Sequence, residues 1–446
     1  IYITTHIIVA YGVARTKTTC IKIHTMQPSS TLLDQTSGME YFLKTAPFLH
    51  LDLTTTTTTT PSTSSSTSTT TTLPTIDPEE QRRLLQEGYF TADLNVDHLS
   101  SRLAQGIAKL RAAGFPASFI LMFDEAWELS AKIDSKMGPL TGNTNNGDML
   151  AWDIDPNRNE VGFSPHRDRQ PENIALSFHA NGMPKYSTAW VALTDATPEN
   201  SCLYVIPKEF DPGYMTGDLD SIDPLRRCLP DKHGYQNIRA LPVPSGTGIF
   251  FSHRILHWGS RGRRKYPTPR MALSMACSTN DYEPCYFANP SEQLPFPSYK
   301  VRLGLICGQC ICYHERFQFT GTEMKLFVEV WNATKHHFSL FYHKKVLKEV
   351  IPAVEEALHR DGLNPSAEVG SAGQKDHMKG VVGGTNYSSG SEDDDMLDAA
   401  LDAMLDGGDD TMDFHDDFDD MGEGVEEMAK RSKDEDSLPT AKRQKK

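Results

Sequence analysis

The chain has 446 residues, 38% of them hydrophobic, and a formal charge of −15 at pH 7. Residues 391–446 carry 20 acidic and 7 basic side chains, so almost all of the excess charge sits in this tail and the remainder is close to neutral. That removes the general argument for nucleic-acid binding. The eight cysteines lie scattered in apolar runs, unlike the framework of a small secreted domain, and no run reaches the roughly 18 apolar residues of a membrane span. An intracellular setting, cytoplasmic or nuclear and without membrane contact, is expected.

In chain order, residues 1–76 read as a disordered N-terminal region, dominated by a Thr/Ser tract from Thr54 to Thr72 that only Pro61 interrupts. Short hydroxyl side chains without apolar spacing bury too little surface to offset chain entropy. A folded domain over 77–358 follows. Asp77-Pro78-Glu79-Glu80 is a helix entry, with a capping aspartate, proline at the first helical position and acids in the first turn. From there Leu84, Tyr89, Leu99, Leu103, Ile107 and Leu110 recur at helical spacing, making 77–138 a helical support.

From 150 to 277 the pattern changes to short runs rich in β-formers, separated by Pro, Gly, Asn and Asp. The runs at 151–155, 173–178 and 187–193 are expected strands. An insertion over 208–239, rich in Asp, Gly and Pro, is the segment expected to contact substrate, since long loops in compact domains are usually functional. Residues 299–358 return to helical spacing and close the domain. Within them, Cys307, Cys310 and Cys312 lack a second ligand pair and are interleaved with Leu and Ile, so buried free thiols are expected rather than zinc.

The tail over 364–446 reads as disordered. Its acidic-hydrophobic part, 391–420, with Met396, Leu397, Leu401 and Leu405 among aspartates, has the character of a protein-binding segment. The basic clusters within 430–446 have the spacing of a bipartite nuclear signal.

The chemistry centres on Ser164-Pro165-His166-Arg167-Asp168. On an extended strand alternate side chains share a face, so His166 and Asp168 project together while Arg167 points away. If His257, in Phe250-Phe251-Ser252-His253-Arg254-Ile255-Leu256-His257, is brought beside them, two neutral nitrogens and one carboxylate occupy one face of a metal ion. This is the ligand set of non-haem Fe(II) oxygenases.

Several ordered pieces, namely His166-Arg167-Asp168, Trp190 through Asp195, Glu199 through Pro207, Gly248-Ile249-Phe250-Phe251, His257 and Arg270, resemble the phytanoyl-CoA dioxygenase family of Fe(II)/2-oxoglutarate oxygenases. The resemblance implies a mainly β fold, a double-stranded β-helix (jelly roll) with flanking helices. It implies Fe(II) on His166, Asp168 and His257, with 2-oxoglutarate and O2 as cosubstrates and ascorbate in support. For the distal ligand it favours His257 over His253. It places the far carboxylate of 2-oxoglutarate on Arg270, near Trp190 and Ser260, and implies hydroxylation of a small or lipid-like molecule. The alternative is a nuclear regulatory protein that uses the β-domain as a scaffold and the acidic tail to bind partners.

Overall fold

The computed structural model describes residues 26–51, 76–158, 160–170, 174–218, 223–293 and 295–361. The acidic segment 391–420, the basic clusters of 430–446 and the Thr/Ser tract lie outside the described residues. In chain order, helices α1 (Ser29–Leu33) and α2 (Gln35–Thr45) precede α3 (Pro78–Gln86), β1 (Tyr89–Asp93), α4 (Asp97–Ala112) and α5 (Asp124–Thr141). Then come β2 (Thr144–Ile154), β3 (Tyr186–Ala192), β4 (Leu203–Ile206), α6 (Pro224–Cys228), β5 (Arg239–Leu241), β6 (Thr247–Ser252), β7 (Leu256–Gly259) and β8 (Arg270–Ser278). Helices α7 (Tyr299–Cys312), α8 (Gly321–Thr334) and α9 (Leu340–Arg360) complete the described chain.

The strands form two antiparallel sheets, one ordered β1-β6-β3-β8-β2 and the other β5-β4-β7. A shared apolar core lies between them, with Trp152, Trp190, Ile249 and Phe251 from the first sheet meeting Leu203 and Val205 from the second. Strand β6, buried at every residue between β1 and β3, is an unbroken Thr-Gly-Ile-Phe-Phe-Ser run because neither of its faces meets water. The double sheet agrees with the jelly-roll expectation, but "mainly β" does not hold. Of the described residues 48% are helical and 19% are in strands or bridges. The helices are not a thin coat: α7 is buried on nearly all sides, as an apolar helix without a polar stripe must be. Its Cys307 and Cys310 are buried free thiols, pushed up by desolvation, as expected of inert core cysteines.

Three local expectations are corrected. Residues 26–51, assigned by composition to a disordered region, carry α1 and α2, and the fully buried Phe42 packs among Phe115, Phe119, Phe123 and Tyr299. Tyr89, counted within a helical run, opens β1 and pairs with Phe251. Gly88, at φ +85°, turns the chain out of α3 first, a conformation that costs glycine little. The expected strand at 173–178 is a single 3-10 turn, Ile174–Ser177. Asp77 does cap α3, its side chain accepting from the Glu79 amide, and Thr320 with Glu323 forms a reciprocal capping box on α8. No helix among the described residues is long and apolar enough to cross a membrane.

The buried Phe42 makes the N-terminal helices testable. Phe42→Ala is expected to destabilise the domain by about 3–5 kcal/mol in a denaturant titration, the usual cost of emptying such a site. A segment that merely rests on the surface would give no change.

Candidate metal centre

The segment around His166 runs beside the edge of β7 and is held there by backbone hydrogen bonds. His166 N donates to His257 O and His257 N donates to His166 O, both at 3.0 Å, and Gly259 N donates to Phe163 O, also at 3.0 Å. Each histidine then orients its ring locally. Nδ1 of His166 lies 2.8 Å from the carbonyl of Ser164, and Nδ1 of His257 lies 3.2 Å from the carbonyl of Ile255. A carbonyl only accepts, so in the neutral ring the proton sits on Nδ1 and the Nε2 lone pair faces the site.

Both Nε2 atoms face the same carboxylate oxygen, Asp168 Oδ1, at 3.6 Å from His166 and 3.5 Å from His257. Among the described residues, His166, Asp168 and His257 are the cluster whose ligand atoms all lie within 4.8 Å of one another. The other oxygen, Asp168 Oδ2, accepts from the hydroxyl of Thr188, which reaches across from β3. Burial alone would raise the Asp168 carboxyl, but His257, His166 and this hydroxyl outweigh it and hold the group below the usual carboxylate range. Burial, and then the neighbouring His257, lowers His166 to about 4. At neutral pH the cluster is therefore an anion beside a neutral imidazole.

Two nitrogens and one carboxylate on one face suit a divalent first-row metal with open positions. His253, the other candidate, stands apart. It is fully buried, its Nδ1 meets the carbonyl of Tyr186 at 2.8 Å, and burial takes it down to about 3.

A cavity of about 200 Å³ opens over the cluster. Arg270, at the start of β8, lines it and is 4% exposed. Its guanidinium lies 5.3 Å from the centre of the Trp190 ring, and its Nε has no hydrogen-bond partner. Burial pulls the group down to about 10, with Cys202 and Asp153 offsetting it only in part. A buried cation with a cavity in front of it and an Nε that no group of the fold satisfies fits an anionic group delivered from outside the chain. Trp190 lines the same cavity. Ser260 does not: β7 ends at Gly259, and the Ser260 hydroxyl meets Tyr204 instead.

Among its described residues the insertion at 208–239 contributes none to the cavity wall, contrary to expectation. The far wall comes instead from Asp148, Arg169, Tyr186 and Tyr313, with the exposed Arg316 over the Phe163 ring at 5.0 Å. These residues carried no legible signal in the sequence, because they come from four separated segments. Asp148 reaches the site through a bulge in β2, where pairing skips from Asn145↔Cys277 to Met149↔Met275 and Gly147 takes φ +98°. Its buried carboxylate accepts from Gln309, Tyr313, Tyr286 and Arg169, and Arg169 also pairs with Glu283.

Replacing Arg270 with methionine removes a buried charge that the protein itself offsets only in part. The metal-free chain is expected to unfold at the same or a higher temperature, since unpaired buried ions are destabilising. A fall of several degrees would mean that the guanidinium has a partner within the fold.

Comparison with known proteins agrees with this chemistry. Residues 72–264 match the family model of phytanoyl-CoA dioxygenase (PhyH), a span that contains His166, Asp168 and His257 and ends before Arg270. No curated protein matches the chain. Among solved structures, the non-haem α-ketoglutarate-dependent epimerase SnoN from nogalamycin biosynthesis is 19% identical, covering 45% of this chain and 80% of its own, with a TM-score of 0.35. The carbocyclase SnoK from the same biosynthesis is 16% identical over 46% and 86%, with a TM-score of 0.33. HygX from Streptomyces hygroscopicus with nickel and 2-oxoglutarate bound is 12% identical over 47% and 89%, with a TM-score of 0.35. At these TM-scores the three stand as likenesses only. Over residues 72–264 the chain is thus similar to the phytanoyl-CoA dioxygenase family, whose members use Fe(II) and 2-oxoglutarate.

Proposed function

We propose that the chain hydroxylates a small, polar molecule, with Fe(II) held by His166, Asp168 and His257 and the far carboxylate of 2-oxoglutarate held by Arg270. The observation that carries this reading is the pairing of a complete donor set with a buried, only partly compensated arginine in one cavity. Bound there, Fe(II) with 2-oxoglutarate and dioxygen supplies oxidation of an unactivated C–H bond, 2-oxoglutarate leaving as succinate and carbon dioxide.

The protein's own residues do the rest. Asp168 keeps a charge on the donor face because Thr188 and the two histidines hold it ionised. Arg270 offers a planar, bidentate donor, already desolvated and set against the Trp190 face, so binding a carboxylate there requires little reordering. The wall made by Leu150, Trp152, Trp190 and Leu203 keeps water from that end. The opposite wall is ionic and phenolic, with Asp148, Arg169, Tyr186 and Tyr313, and suits hydroxyl or amine groups better than an acyl chain. The size agrees: about 200 Å³ lies below the roughly 300–1,000 Å³ of most ligand pockets, and the cosubstrate must share it. Aspartate at position 168, where a halide-binding site would need a small side chain, favours hydroxylation.

The test is conversion of 2-oxoglutarate to succinate by the purified chain with Fe(II) and ascorbate, in the absence of added substrate. Succinate is expected to depend on iron and to fall to background in His166→Ala. In Arg270→Met the KM for 2-oxoglutarate is expected to rise roughly 10–100-fold, the worth of a charged hydrogen-bonded pair. Succinate formation that survives His166→Ala would overturn the reading.

A further inference from the structure

Arg167 lies between two of the candidate ligands, yet its side chain points away from them and is 1% exposed. It is held by two carboxylates from the insertion. Nη1 and Nη2 donate to Asp211 at 2.5 and 2.8 Å, and Nε donates to Asp218 at 3.0 and 2.9 Å, with a further bond from Nη2 at 2.8 Å. Its Nη1 also donates to the carbonyl of Arg254. Arg254, three residues before His257 and fully buried, reaches the same turn: Nε donates to Tyr214 O at 3.1 Å and Nη2 to Gly213 O at 2.8 Å. Its Nη1 donates to Arg169 O at 3.3 Å. Two guanidinium groups, one from each ligand-bearing segment, thus converge on residues 211–218 and are balanced by that turn's two carboxylates.

We propose that Arg167 is a positioning residue that, together with Arg254, ties both ligand-bearing segments to the turn at 211–218, so that this turn sets the metal affinity of a site that none of its own residues lines. The inference rests on the metal-site reading above. Its physical basis is stiffness. His166 and Asp168 are held to β7 by few backbone bonds, and a bidentate, buried arginine between them restrains the backbone from which both donors project. The room around it is tight as well. A Cβ on Gly213 would stand 2.3 Å from Arg167 Nη2 and 2.6 Å from Asp218 Oδ1, so even a methyl group must displace the pair.

The experiment is a Mn(II) titration of the full chain, followed by the EPR signal of the free ion, for wild type, Asp218→Asn, Asp218→Glu and Gly213→Ala. Thermal unfolding of each without metal accompanies it. Asp218→Asn and Gly213→Ala are expected to weaken Mn(II) binding roughly 10–100-fold while still unfolding cooperatively, and Asp218→Glu to recover part of the loss. A merely structural role would lower the unfolding temperature and leave the affinity of the folded molecules untouched; wild-type affinity in folded Asp218→Asn and Gly213→Ala overturns the inference. Should Asp218→Asn fail to fold, Gly213→Ala decides. A wild-type chain that binds no Mn(II) overturns the metal-site reading itself and takes this inference with it.

Discussion

Two backbone hydrogen bonds, exchanged between His166 and His257 at 3.0 Å each, are the constraint on which the site depends. They set the two residues side by side across antiparallel backbone, and the local carbonyls of Ser164 and Ile255 then fix each ring's tautomer. Asp168 follows two residues on, at a bend beyond the isolated bridge, and its carboxylate lands between the two Nε2 atoms. The five-stranded sheet joins through the hydroxyl of Thr188, which ties the far oxygen of that carboxylate to β3. The geometry therefore belongs to the backbone pairing first and to the side chains second.

Around this pairing the protein buries many ions and disposes of them in two different ways. The four charges of Asp148, Arg169, Glu283 and Lys345 neutralise one another among Tyr286, Tyr313 and Gln309, so that wall is satisfied before any ligand arrives. Arg270 is treated in the opposite way, with the Trp190 face for company, an unpartnered Nε and only partial relief from Asp153 and Cys202. The contrast separates a wall that orients from a group that waits. It also shows where stability has been given up: an unpaired buried cation opposes folding, and such groups persist where function needs them.

The parts legible in the sequence were those in which neighbouring residues carry the signal. His166 and Asp168 lie two apart, and although the segment is a bridge and a bend rather than the expected strand, that spacing still brings both to one site. Asp77 and Pro78 mark a helix start through local hydrogen bonding and a fixed φ. What escaped was set by distant contacts. Residues 26–51 read as part of the disordered N-terminal region with the Thr/Ser tract until Phe42 meets four aromatic rings from elsewhere in the chain. Tyr89 keeps helical spacing with its neighbours, and only pairing with β6 makes it a strand residue. The insertion at 208–239 looks like a substrate loop because it is long and polar. Two of its aspartates, Asp211 and Asp218, are in fact spent on Arg167, a partner that spacing cannot reveal.

One more feature bears on how such a site can change. Gly162 and Gly259 face each other where the His166 segment meets the end of β7, and a Cβ on Gly162 would lie 2.5 Å from the Gly259 Cα and 2.8 Å from Ser201 Oγ. Neither glycine has a positive φ, so space and not conformation keeps both positions bare. The two backbones touch there with nothing between them, beside the Gly259 and Trp258 rim of the cavity. A single methyl group at either position would wedge the segments apart and widen the entrance, at the expense of the pairing that aligns the histidines. The width of the doorway and the register of the donors are thus one variable, and a lineage that enlarged its substrate range by this route would have to re-secure the metal at the same step.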